Sequence, residues 1–146
     1  QDVQEYSKLA FYGKEKIRSE KESEYGIDVS LNGIFIRDDV MYYRIKVTNN
    51  SKINYDIDQL RFFIRDAKKV KRTASQEIEI SPIYIWNNIV KIDEEAENTF
   101  VFALPKFTKQ QEKYLVIQLL EKNGGRHIEL DVKNKKLVQV IVLPKL

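Results

Sequence analysis

A reaction centre in this chain would have to be built around His127, because the 146 residues contain one histidine and no cysteine. The lack of cysteine removes thiolate nucleophiles, thiolate zinc ligands and disulfides together. It leaves the redox compartment open. A hydrolase would need the imidazole as base beside an activated serine, yet no Gly-x-Ser-x-Gly elbow accompanies any serine. His127 is therefore expected as a surface or cross-strand side chain. Three carboxylate pairs stand at i,i+2: Asp56/Asp58, Glu77/Glu79 and Glu129/Asp131. On a strand that spacing puts both groups on one face, which a glycosidase or a cation site could exploit. Each pair alternates with apolar neighbours (Ile57; Ile78 and Ile80; Ile128, Leu130 and Val132), so each reads as the wet face of an amphipathic strand. EF-hand, Walker A, dinucleotide and zinc-helix motifs are all missing. The expectation is a protein that is not an enzyme and needs no cofactor or metal.

Two strings could instead bind something. Lys68-Lys69-Val70-Lys71-Arg72 is the densest positive cluster, with Lys71 and Arg72 as its candidate contacts. With Arg61, Arg65 and nearby tyrosines it could track phosphates, although a solvated turn explains such a run more simply. The overall charge of +3, from 25 basic and 22 acidic residues, is too mild for a dedicated nucleic-acid footprint. The second string is Glu121-Lys122-Asn123-Gly124-Gly125-Arg126-His127, a hairpin signal in which Asn and Gly accept the positive φ of a tight turn. A minimal hairpin needs only Asn-Gly, so Glu121, Asn123, Gly124, Gly125, Arg126 and His127 are candidates for a contact site or a structural lock. In a lock, Arg126 should reach carbonyls or a carboxylate of another strand.

The elements that must hold these residues are mostly strands. Val3, Tyr6, Leu9, Ala10 and Ile17 recur at helical spacing, and Lys14–Glu24 reads as the charged second half of the same helix, ended by Gly26. Residues 1–24 are thus expected as a helix or linker and residues 25–146 as the β domain. From Ile27 the period becomes two. Strands are expected over Ile27–Ile36 with a kink at Gly33, over Val40–Thr48 after an Asp38-Asp39 turn, and over Leu60–Ile64. Ile53–Asp58 is expected as an ordered loop or edge with Tyr55 and Ile57 turned inward. Val70–Ile85 follows with Ile78 and Ile80 inward and Pro82 marking an edge or crossing, then Thr99–Leu104, Tyr114–Glu121, His127–Val132 and Leu137–Leu143. Seven or eight such strands at roughly 8–12-residue spacing predict an antiparallel β-sandwich, immunoglobulin-like in outline. Its core is expected to hold Tyr43, Ile45, Val47, Phe63, Ile80, Phe100, Phe102, Val116 and Ile117. No apolar run approaches the ~20 residues that span a bilayer. Nothing in Gln1–Tyr12 reads as a signal peptide and position 1 is not Met, which points to a fragment or mature form.

Several strings resemble a known family. Ile53–Asp58, Arg61-Phe62-Phe63-Ile64-Arg65-Asp66, Lys71–Glu77, Thr99–Thr108 and Glu121–His127 are similar, in order, to blocks of the TraN proteins of Bacteroides-type conjugative transposons. The similarity runs from about Tyr25 onward and looks like the C-terminal portion of a longer protein. It implies a structural component of a conjugative DNA-transfer apparatus, akin to type IV secretion. Its partners would be other transfer proteins of the envelope channel and its location periplasmic or outer-membrane-associated, and an oligomeric ring is an assembly it would allow. It carries over no catalytic residue. The alternative from another class is an OB-like domain binding single-stranded nucleic acid through the basic cluster and exposed aromatics.

Overall fold

Alternating apolar and polar residues need a partner edge on each side and a cover on the apolar face. The computed structural model, which describes residues 2–66, 77–106, 113–133 and 139–146, meets that need with two sheets and one helix. In chain order the elements are α1 (Val3–Tyr12), β1 (Glu20–Glu24), β2 (Ile27–Arg37), β3 (Val40–Asn49), β4 (Tyr55–Asp66) and β5 (Glu77–Ile80). They continue as β6 (Tyr84–Trp86), β7 (Lys91–Ile92), β8 (Glu97–Pro105), β9 (Lys113–Glu121), β10 (Ile128–Val132) and β11 (Ile141–Val142). The first sheet runs β1-β2-β3-β8-β6, with β11 parallel to β2; the second runs β10-β9-β4-β5, with β7 beside the start of β4. All other pairings are antiparallel. This is the expected β-sandwich with an N-terminal helix.

Local chemistry accounts for the turns. Asp38 and Asp39, at φ 50° and 64°, both take the left-handed conformation that short Asp side chains tolerate, and they close β2 onto β3. Pro82 lies where the chain leaves β5 in one sheet and enters β6 in the other, a point that needs no ladder donor. Between the sheets, Ile27, Leu31, Tyr43, Ile45, Phe62, Phe100, Phe102, Leu115 and Ile117 are buried together, and the Phe62 and Phe102 rings meet at 4.7 Å between centroids. A second apolar layer forms where α1 lays Tyr6 and Ala10 on Phe35, Tyr42, Val101 and Ala103 of the first sheet's outer face. There the burial of the Tyr42 phenol pushes its pKa up to about 12.

Four expectations are corrected. The helix ends at Tyr12, and the charged stretch read as its second half includes β1, an edge strand paired with Ile27–Leu31. Pairing with the open edge of β2 overrides the good helix propensity of Lys and Glu there, since propensity yields to tertiary context, and charge on an edge strand discourages unwanted pairing. Ile17 therefore lies beyond the helix; its N–H donates to the Asn32 carbonyl and its side chain joins the core between the sheets. The strand expected at Leu60–Ile64 begins at Tyr55, so most of Ile53–Asp58 is strand; Tyr55 and Ile57 do turn inward. Ile78 is exposed on β5, a four-residue strand at the sheet edge, while Ile80 is half-buried against the core. Of the other expected core residues, Phe63 and Val116 are buried on the outer face of the second sheet rather than between the sheets. Val70, Leu137 and the Lys68–Arg72 cluster lie outside the described residues.

Candidate functional site

The β9–β10 turn is built around one ion pair. Glu121 ends β9 and Arg126 precedes β10, and their side chains are only 12% and 17% exposed. Arg126 donates from Nη2 to Glu121 Oε2 at 2.6 Å, from Nε to the same oxygen at 3.0 Å and from its backbone N–H to Oε1 at 3.0 Å. The guanidinium then reaches across to the segment entering β4: Nη2 donates to the Asn54 carbonyl at 2.7 Å and Nη1 to Ser51 Oγ at 3.3 Å. Its carbon lies 5.1 Å from the Tyr55 ring centre, and the Tyr55 hydroxyl donates to the Arg126 carbonyl at 2.5 Å. Burial raises the Tyr55 pKa and so keeps the phenol a donor. The bonds from Arg126 hold the Glu121 carboxyl below its ordinary pKa, and Glu121 in turn raises that of Arg126. This is the geometry of a lock between strands.

The remaining residues of the string fall into place around that pair. Asn123 takes φ 55°, and a Cβ on Gly124 would collide with the Glu121 carboxylate, so a side chain there would have to displace Glu121 from its ion pair. Gly125 has open space where a Cβ would be. His127 accepts the Glu121 N–H at Nδ1 over 3.1 Å. Lys122 donates its N–H to the Asp56 carbonyl, which ties the turn to β4 a second time. Lys71 and Arg72 lie outside the described residues; their described flanks, Asp66 and Glu77, stand at the far end of β4 from the lock.

Beside the lock runs an open groove of about 710 Å³, lined by Ile53, Asn54, Asp56, Asp58, Val90, Lys91 and Asn123 among others. Ile53 and Val90 are 67% and 69% exposed within it, although the backbone carrying them is tied down. The buried Asn49 amide donates to the carbonyls of Ile53 and Ile92 and accepts from Ser51. Ile57 N–H donates to the Val90 carbonyl, and Asn54 Oδ1 accepts from the Glu94 N–H. Two large apolar side chains are thus presented to solvent on a pre-ordered frame, the kind of surface that binds with little ordering cost.

Two side chains of the frame escape sequence reasoning. Arg44 is 4% exposed. It donates to the carbonyls of Ala10, Gly13 and Glu15 and to Asn32 Oδ1, at 2.6–2.8 Å, so it satisfies the end of α1 and pins it to the sheet. Burial lowers its pKa and the Glu15 charge opposes that. The bulge at Asn32-Gly33 makes the space, since a Cβ on Gly33 would stand 2.7 Å from Phe35 and 3.0 Å from Arg44. The only hint in the sequence was the kink at Gly33. Asn49 opens an Asn-Asn-Ser string of the composition that ordinary turns share, and it is a buried four-way tie.

The carboxylate pairs behave as wet strand faces. Glu79 pairs with Arg61 at 2.7 Å, and Glu77 and Glu129 flank Arg65 at 2.6 and 3.2 Å across the outer face of the second sheet. Hydrogen bonds from Arg61 lower the Glu79 pKa; Gln118 first, then Arg65, lower that of Glu129. Beneath them Phe63 is buried, with Arg61 4.9 Å over its ring. Among the described residues no group of three or more His, Asp or Glu is placed to hold a metal ion, and no helix is long and apolar enough to cross a membrane. Fold and groove together define a β-sandwich with an open groove on a hydrogen-bonded frame. Across residues 1–142 the chain matches, and belongs to, the family described as a domain of unknown function, DUF4138. No curated protein matches it.

Proposed function

We propose that this domain is a non-enzymatic structural part of a conjugative DNA-transfer apparatus and acts through protein–protein contacts in the periplasm. The observation that carries the reading is the convergence of two strings on which the resemblance to TraN proteins rests. Ile53–Asp58 and Glu121–His127 are 63 or more residues apart in sequence, and Arg126 joins them into one locked frame bearing the exposed pair Ile53 and Val90. Apolar anchors in a rigid, polar-rimmed groove fit recognition of another protein. A nucleic-acid site is less well supported, because Arg61 and Arg65, which the phosphate-tracking reading would use, are engaged by Glu79, Glu77 and Glu129.

The test is a donor strain in which the gene is deleted and complemented with the wild-type or groove-altered protein. Deletion is expected to abolish transfer, and wild type to restore it with a small set of transfer proteins crosslinked to the domain. Normal transfer after deletion would refute the reading.

A further inference from the structure

At the other end of β3 from Asn49 lies a second cavity, of about 330 Å³. It opens between the start of α1, the β2–β3 turn and Ile83, and shares no wall residue with the groove. Its volume falls within the range of small-ligand pockets, roughly 300–1,000 Å³. Val3, Val40 and Ile83 give it apolar walls. Tyr42 lines it with only 1% of its surface exposed. Among the described residues the Tyr42 hydroxyl has no hydrogen-bond partner. A buried phenol left unpaired is costly, and the free side of this one is the cavity.

Burial first, and then Tyr6, Asp38 and Asp2, oppose the ionisation of Tyr42, so it stays a neutral phenol beside two carboxylates. The Tyr6 hydroxyl is already engaged, accepting the Leu146 N–H at 3.1 Å. Arg37 is the cation of the wall, and it is held by the protein. Its Nη1 donates to the Leu143 carbonyl at 3.0 Å, and its Nε lies 3.7 Å from Asp38. One guanidinium against two carboxylates leaves the wall negative. We propose that this cavity binds a primary ammonium carried on a short apolar stem. The head has three donors, which meet Asp2, Asp38 and the Tyr42 oxygen, while the stem lies on Val3, Val40 and Ile83. A lysine side chain of a partner protein and a free alkylamine both carry this group. An anion would be drawn by the N–H groups that open α1 and by Arg37 Nε, which makes no hydrogen bond. The two carboxylates in the same wall repel it, so the anion of the same stem is the control.

The test is a titration of the full chain with n-pentylamine, protonated at pH 7, read by amide shifts in NMR. Saturable shifts are expected at Val3, Tyr6, Val40 and Ile83, with a Kd of about 1–10 mM for a ligand this small. Pentanoate should cause none. Tyr42→Phe keeps the ring and should weaken binding about tenfold. Asp2→Asn/Asp38→Asn should weaken it by about tenfold or more. Asparagine is accepted both before a helix and at positive φ, so Tm should hold in that variant. Nα-acetyl-lysine amide binding as tightly as pentylamine assigns the site to a lysine of a partner protein; binding about tenfold weaker assigns it to a free amine. Shifts that do not saturate, pentanoate binding as tightly as the amine, or full binding by both variants would overturn the proposal.

Discussion

Arg126 shows why one side chain can matter more than the string around it. It is nearly buried and serves a carboxylate, a carbonyl and a hydroxyl from two separate segments. Removing it leaves Glu121 charged and short of its partner, a loss of about 3 kcal/mol when such a pair is well buried. Arg126→Ala is therefore expected to lower Tm by about 10 °C; an unchanged Tm would show that the lock does not hold the fold together. The pair also sets a pH dependence. The Glu121 pKa is lower folded than its ordinary 4.5, so its contribution to stability is complete above that value and disappears as pH falls through the folded pKa. Denaturant titrations of wild type should lose stability in that acid range, and Glu121→Gln should flatten the loss. Equal slopes would remove Glu121 from the account. From sequence, the hairpin and the choice between lock and contact were readable. The partners Asn54 and Ser51, more than 70 residues away, were not, because no local pattern encodes a long-range hydrogen bond.

At the scale of elements, Gly33, Arg44 and α1 form one unit. The bulge makes room for the Arg44 guanidinium at the end of the helix, where the last carbonyls need donors. Gly33→Ala would push a methyl into Phe35 and Arg44, and overpacking of this kind costs about 1–3 kcal/mol. The expected result is a lower Tm with faster amide exchange across Val3–Tyr12; exchange unchanged in the helix would mean that Arg44 does not pin it. The same unit explains where sequence reading failed. Period-two patterning located the major strands, since it reports which face is buried. It could not tell that Lys14–Glu24 abandons the helix, because that outcome is set by the open edge of β2 and by Arg44 on β3. It also misplaced Ile78, whose alternation is faithful but whose strand stands at an edge.

The molecule as a whole separates its chemistry along the strand axis, with the locked groove at one end and the flanks of the basic segment at the other. We propose such a body as a joint between proteins rather than a binder of phosphates. A salt titration against single-stranded DNA should show weak binding with a shallow slope; a steep negative slope would favour the OB-like alternative. This surface is proposed to join proteins during conjugative transfer. The most direct measurement is mating frequency from a donor carrying Ile53→Asp/Val90→Asp, whose fold is verified by an unaltered Tm. The expected result is transfer reduced at least about tenfold, as when a hot spot worth about 1.4 kcal/mol or more is lost. Wild-type transfer from that donor would contradict the claim.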